Sequence, residues 1–237
     1  RVTGATDLPV LVDADTGWGP ALMIARTIRE LIRSGAAGCH IEDQVQTKRC
    51  GHRPGKALVS SEEMADRIKS AVDGRTDDAF VIVARTDALA SEGLDATIER
   101  SCKYVEAGAD IIGLNCMNDP KRMYPHIREM RDAFDGYLAA QPVAFRCTDD
   151  IPFFTGLPSF PDKLEPTQHT RYELGDFAAK AKDMGVNYIG GCCGNKATHM
   201  RVMAKVLGKH KETFHWNRRA GISMSETERN KHVSDIA

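Results

Sequence analysis

Short apolar runs alternate along the chain with longer stretches whose apolar residues recur every three to four positions. The runs fall at residues 8–12, 38–41, 80–84, 110–114, 137–143 and 186–190. They are rich in β-branched residues and lack strict polar alternation, which predicts strands buried on both faces. The periodic stretches at 21–33, 61–72, 96–106, 121–134, 174–184 and 197–207 predict helices. Ser60 with Glu63 reads as a capping box, and Asp119 followed by Pro120 reads as an N-cap with proline in the first turn. Gly35, Gly108 and Gly185 each end a helix just before a strand, the C-cap use of glycine.

Repeated strand–helix units imply a parallel sheet. Polar residues close nearly every strand, which favours a (βα)₈ barrel of the TIM type over an open sheet. Six units are visible, so the first two strands of such a barrel would lie before Leu8. The expected organisation is a single barrel domain over 1–237. Stretch 148–170, rich in Pro, Phe and Asp, reads as a long loop on the catalytic face. Residues 209–237 form a polar tail with Trp216 as an apolar anchor, open to packing on a second copy in a homo-oligomer.

A chain of 237 residues with net charge −1 fits one soluble domain and gives no reason to expect nucleic acid or a membrane surface as partner. No apolar run approaches the roughly 20 residues of a membrane span. Seven scattered cysteines argue for a reducing, cytoplasmic setting rather than a disulfide framework.

Two sets of residues carry chemistry. In the first, Asp13 and Asp15 close a strand with their carboxylates on one side, a pair suited to Mg²⁺. Glu42 and Asp43 end the next strand, and Arg85 and Asp87 the one after. Cys50 follows in a loop among Lys48, Arg49, His52 and Arg53, whose positive charge favours a thiol active in proton transfer. The segments Val12-Asp13-Ala14-Asp15-Thr16-Gly17, His40-Ile41-Glu42-Asp43-Gln44, Lys48-Arg49-Cys50-Gly51-His52 and Ala84-Arg85-Thr86-Asp87-Ala88 resemble isocitrate lyases and, more closely, methylisocitrate lyases. The resemblance runs from about Leu8 to Asp110, so residues 1–110 read as lyase-like front units. It implies an Mg²⁺-dependent carbon–carbon lyase acting on a small 2-hydroxy tricarboxylate. Asp13 and Asp15 would hold the metal and Cys50 would be the acid/base, with His52, Lys48 and Glu42 as further catalytic candidates. Arg85 and Gly51 would contact substrate.

The second set is Cys116, after one strand, and Cys192-Cys193, after another two strands along. Three thiolates with an open fourth position suit catalytic Zn²⁺, which activates a substrate thiol bound there. Asn115-Cys116, Gln141-Pro142-Val143-Ala144-Phe145, Leu164-Glu165-Pro166 and Gly190-Gly191-Cys192-Cys193-Gly194 resemble homocysteine S-methyltransferases, betaine-dependent ones especially. That implies methyltransferase-like back units over 111–208 and a hybrid chain. Three functions follow as expectations: the lyase, a Zn²⁺-dependent thiol methyltransferase, and a hybrid metal-binding barrel without turnover. Cys39 and Cys102 are expected in the core, His40 in packing, His199 at the surface, and Trp18 at the pocket. Cys147 is a further thiol that could reach the mouth.

Overall fold

The structure, a computed structural model, describes residues 2–48 and 55–209. Strands β1 (Leu11–Asp13), β2 (Gly38–Glu42), β3 (Val81–Arg85), β4 (Ile111–Asn115), β5 (Tyr137–Gln141) and β6 (Tyr188–Ile189) form one sheet in chain order. Every pairing is parallel. Helices α1 (Ala21–Arg33), α2 (Ser61–Gly74), α3 (Leu94–Glu106), α4 (Pro120–Ala133), α5 (Arg171–Asp183) and α6 (Ala197–Val206) follow the strands in turn. The result is a curled, partial TIM-type barrel whose edges are β1 and β6. The described residues hold six strands, so the closed eight-strand form is not observed.

Alternation within each strand sorts the side chains. Cys39, Ile41, Ile82, Ile112, Leu138 and Ala140 face the helices, in one core with Ile24, Ile28, Met64, Ile68, Tyr104, Ile127 and Phe177. Leu11, His40, Val83, Ile111, Ala139 and Tyr188 lie on the concave face. Because all strands run the same way, their C-terminal ends form one rim carrying Asp13, Glu42, Arg85, Asn115 and Gln141. The register pairs Glu42 with Arg85 and Asn115 with Gln141 along it.

Several boundaries shift for identifiable reasons. β1 starts at Leu11 rather than residue 8, since Pro9 offers no N–H and Leu8 is exposed. β5 stops at Gln141 because Pro142 cannot continue the ladder. The expected capping box at Ser60 is half formed: Ser60 accepts from the Glu63 N–H at 3.1 Å, but the Glu63 carboxylate turns to Arg67 at 2.8 Å. A box with both arms closes instead on Thr170 and Glu173. His199, expected at the surface, is buried, because its Nδ1 accepts the Lys196 N–H and completes the first turn of α6. Cys39 lies in the core as expected, its thiol pushed up to about 12 by burial. Cys102 is only half-buried, on α3.

The 148–170 loop carries two short 3₁₀ turns, Phe154–Gly156 and Glu165–Thr167. Phe154 and Leu157 pack over the rim with Val143, Phe145 and Cys116 as a second apolar cluster. Among the described residues no helix is long and apolar enough to cross a membrane.

Gly113 lets β4 and β5 lie close on the concave face. A Cβ there would meet the Ala139 carbonyl oxygen and come within 2.5 Å of the Ala139 Cβ. Gly113→Ala is therefore expected to cost about 1–3 kcal/mol in urea unfolding, the usual penalty of overpacking. An unchanged midpoint would show that the two strands can part without loss.

Candidate active site

Tight turns set the first set of residues. Asp15 and Trp18 take positive φ (51° and 57°), a rare backbone state for such side chains. The Asp15 N–H bonds the Asp13 carboxylate at 2.9 Å, and the Trp18 Nε1–H donates to Asp15 at 3.1 Å. Trp18 thus braces the metal candidate while staying half exposed. The Lys48 ammonium pairs with Asp15 and lies 3.5 Å from Glu42 Oε1. His40 Nε2 lies 3.4 Å from Asp13, so His40 belongs to the site rather than to packing. On β3, Arg85 lies 3.3 Å from Glu42 and 3.0 Å from Asp87.

Charge tuning follows from these contacts. Burial pushes the Glu42 carboxyl above its ordinary range, and the Arg85 charge opposes this. The hydrogen bond from Lys48 lowers Asp15. For Asp87, burial works upward but is outweighed by Arg85 and Lys56, so its net shift is downward. Burial alone would lower Lys48; its bond to Asp15 and the charge of Glu42 raise it instead. Asp87 therefore contributes stability above its ordinary value of 3.8, and that contribution is lost as pH falls through its lower folded value. An Asp87→Asn variant should show a shallower acid limb in stability against pH; an equally steep limb would assign that loss to other carboxylates.

Asp43, which the sequence placed beside Glu42 without a role, is the hub of this region. It is fully buried. It accepts from Thr86 Oγ1 (2.6 Å), Tyr104 Oη (2.8 Å) and the Asp87 N–H (3.0 Å). Arg100 stands 3.5 Å away. Gln44 Nε2 bridges Glu42 at 3.2 Å and Asp87 at 2.8 Å. The run Glu42-Asp43-Gln44 at a strand end was the available signal for both. Cys50, Gly51 and His52 lie outside the described residues.

The carboxylates fit a hard cation. Glu42 Oε2 is buried with only the long ion pair to Arg85 at 3.3 Å, and the Lys48 ammonium occupies a cation's place beside Asp15 and Glu42. Mg²⁺ keeps much of its water and needs only one or two carboxylates, so Asp13 and Asp15 suffice.

The second set converges more tightly. Among the described residues, only Cys116, Cys192 and Cys193 bring three candidate ligand atoms within 4.8 Å of one another. Cys116 Sγ lies 3.4 Å from Cys193 Sγ. Sulfurs around one tetrahedral Zn²⁺ stand about 3.8 Å apart, given Zn–S bonds near 2.3 Å, so the donor set fits. Cys116 and Met117 both take left-handed φ (61° and 59°), which turns the chain sharply after β4. Strain of this kind marks functional sites. Hydrogen bonds from Cys116 and then Cys193 lower the Cys192 thiol to about 3, while Cys116, as donor, is pushed up. Cys147 takes no part; its Sγ faces the Phe145 carbonyl at 3.6 Å. A cavity of about 580 Å³ between α3 and α4 reaches from Asp87 and Lys56 to Cys116 and Met117.

A parallel curled sheet thus carries carboxylates, a half-buried arginine and a lysine along its C-terminal rim. The family model for phosphoenolpyruvate phosphomutase matches residues 1–150, and the chain belongs to that family. The 2-methylisocitrate lyase of Shewanella oneidensis is 66% identical over 112 residues, covering 47% of this chain and 38% of that protein. Its counterpart in Escherichia coli is 53% identical over 156 residues, covering 65% and 50%. The 2,3-dimethylmalate lyase of Eubacterium barkeri is 42% identical over 142 residues, covering 60% and 48%. The chain thus spans half or less of these relatives' lengths. Among solved structures, an oxaloacetate acetylhydrolase bound to 3,3-difluorooxalacetate superposes with TM-score 0.58 at 29% identity, covering 96% of this chain and 66% of that one. A 2,3-dimethylmalate lyase gives 0.57, also at 29% identity, covering 96% and 65%.

Proposed function

We propose that the chain is a carbon–carbon lyase acting on a 2-hydroxy carboxylate with at least two carboxyl groups. The observation that carries this reading is the ion network of Asp15, Lys48, Glu42 and Arg85 on one rim. Relatives named as 2-methylisocitrate and 2,3-dimethylmalate lyases support it. In the reaction the substrate hydroxyl loses its proton, the bond between C2 and C3 breaks, and C2 becomes the carbonyl carbon of a 2-oxo acid. The electron pair left on C3 then takes a proton. Glu42, its carboxyl raised by burial, accepts the hydroxyl proton. Cys50 returns a proton to C3. Arg85 and Lys48 hold carboxylates, Gly51 contacts substrate, and His52 is a further catalytic candidate. Mg²⁺ bound by Asp13 and Asp15 would supply positive charge for the hydroxyl and carboxylate oxygens.

The test is Mg²⁺-dependent release of a 2-oxo acid from isocitrate or 2-methylisocitrate. Asp15→Asn is expected to lower release at least a hundredfold, a loss of about 2.7 kcal/mol or more of transition-state stabilisation. Equal release by Asp15→Asn, or release that ignores Mg²⁺, contradicts the metal assignment.

The convergence of Cys116, Cys192 and Cys193 favours a second reading, a Zn²⁺ site that binds a substrate thiol in the manner of homocysteine S-methyltransferases. In that reading residues 1–110 are lyase-like front units, 111–208 methyltransferase-like back units and 209–237 a polar tail. The family match itself runs through β4 to residue 150. A barrel that binds Zn²⁺ and turns nothing over is the third outcome, recognised by full zinc occupancy with neither activity. Cys39, Cys102, Cys116, Cys147, Cys192 and Cys193 form no disulfide among the described residues, which supports a reducing cytoplasmic setting.

A further inference from the structure

We infer that the cavity of about 580 Å³ between α3 and α4 is a second ligand site and that its ligand is an adenine mononucleotide. The cavity lies on the helix side of β4, lined by Leu114 of that strand, Thr97 of α3 and Met123 of α4. It meets the charged rim at Asp87. Its volume falls within the roughly 300–1,000 Å³ usual for small-molecule sites. The inner walls are buried, whereas Lys121, Pro125, Asp149 and Phe153 stand at the exposed mouth.

Asn118 is only 7% exposed and lines the cavity. Its backbone is fixed, the N–H donating to the Cys116 carbonyl at 2.6 Å and the carbonyl accepting the Val143 N–H at 3.0 Å. Among the described residues its side-chain amide hydrogen-bonds to no protein group, so a donor and an acceptor stand together on the cavity wall. His126, on the same wall, has a buried Nδ1 without a partner among the described residues. Buried polar groups normally find partners, and an unpaired one carries a desolvation penalty. An amide side chain meets the N6 and N7 edge of adenine with both of its groups at once. The remaining walls suit a flat ring. Met117 and Met123 supply thioether sulfurs, which pack well on aromatic rings. Phe153, 41% exposed, offers a face for base stacking at the mouth. Lys121 stands at that mouth, loosely paired with Asp149 at 3.9 Å, and its charge meets a phosphate there. An acyl chain would fill the apolar part but leave the Asn118 amide unpaired.

The probe is adenosine monophosphate (AMP), titrated by calorimetry into the full chain, with adenosine, inosine monophosphate, ribose 5-phosphate and octanoate alongside. Saturable binding of AMP and adenosine is expected, with inosine monophosphate about tenfold weaker or more, because an oxo group replaces the amino donor that Asn118 reads. Asn118→Leu should weaken AMP and adenosine alike by about tenfold or more. Phe153→Ala, at an exposed position that leaves the fold intact, should weaken both by about fivefold or more through lost stacking. Lys121→Ala should weaken AMP about threefold while adenosine stays within about twofold. The assignment is overturned by the absence of saturable AMP binding to the unmodified chain, by ribose 5-phosphate binding as well as AMP, by octanoate binding more tightly than adenosine, or by AMP affinity unchanged in Phe153→Ala. Asn118, Lys121 and Phe153 take no part in the proposed lyase reaction, so either reading can fail while the other stands.

Discussion

Asp43→Ala is expected to destabilise the fold by about 3–5 kcal/mol, the range for breaking a buried charged cluster by removing one partner. The carboxylate is fully buried and accepts hydrogen bonds from Thr86, Tyr104 and the Asp87 backbone. Its removal leaves those donors unsatisfied, while Arg100, 3.5 Å away, keeps its two bonds to Glu92 at 2.7 and 2.8 Å. It also frees the backbone at Asp87, and with it the side chain that fixes Arg85. Urea unfolding should show a large fall in midpoint at similar slope. Asp43→Asn, which keeps shape and one acceptor, should cost clearly less. A loss under about 1 kcal/mol for Asp43→Ala would mean that the β2–β3 rim is held mainly by apolar packing.

Cys192→Ser is expected to lower Zn²⁺ affinity about 100–1,000-fold. Four-ligand zinc sites bind with apparent energies of about 10–16 kcal/mol, so one thiolate accounts for roughly 2.5–4 kcal/mol, and each 1.4 kcal/mol is about tenfold. Cys192 is one of three converging thiols, so its loss removes one of the three protein ligands. Cys147→Ser should leave affinity unchanged, because that thiol turns to the Phe145 carbonyl. Competition with a chromophoric chelator measures both. Unaltered zinc binding in Cys192→Ser, or none in the unmodified chain, removes the thiolate reading.

Much of the architecture could be read from the chain because the strands are apolar runs and most helices carry a terminal glycine or an N-cap. Only the helix-facing side of the strands is fully buried, however, since the partial barrel leaves Leu11, Tyr137 and Tyr188 exposed on the other. All six strands and all six helices fall where apolar runs and periodicity placed them. What failed was local: Pro9 and Pro142 trimmed strands that hydrophobicity alone extended, and Glu63 chose Arg67 over its own helix cap. Asp13, Asp15, Glu42, Lys48 and Arg85 were legible as a site because charged residues rarely close consecutive buried strands. The structure brings them to one rim, but among the described residues only the three cysteines gather as a compact ligand set. Asp43 and Gln44 were legible only as part of the polar run Glu42-Asp43-Gln44 at a strand end; nothing in one dimension shows that Asp43 will meet Thr86 and Tyr104.

The central claim is that the rim of β1 to β3 breaks a carbon–carbon bond with Cys50 as proton donor. Single-turnover release of glyoxylate from isocitrate, or pyruvate from 2-methylisocitrate, with enzyme in excess and Mg²⁺ present, tests it most directly. The account predicts release by the unmodified chain and at least a hundredfold slower release by Cys50→Ser, with Mg²⁺ binding retained. No release from either substrate at high enzyme concentration, or equal release by Cys50→Ser, would contradict it.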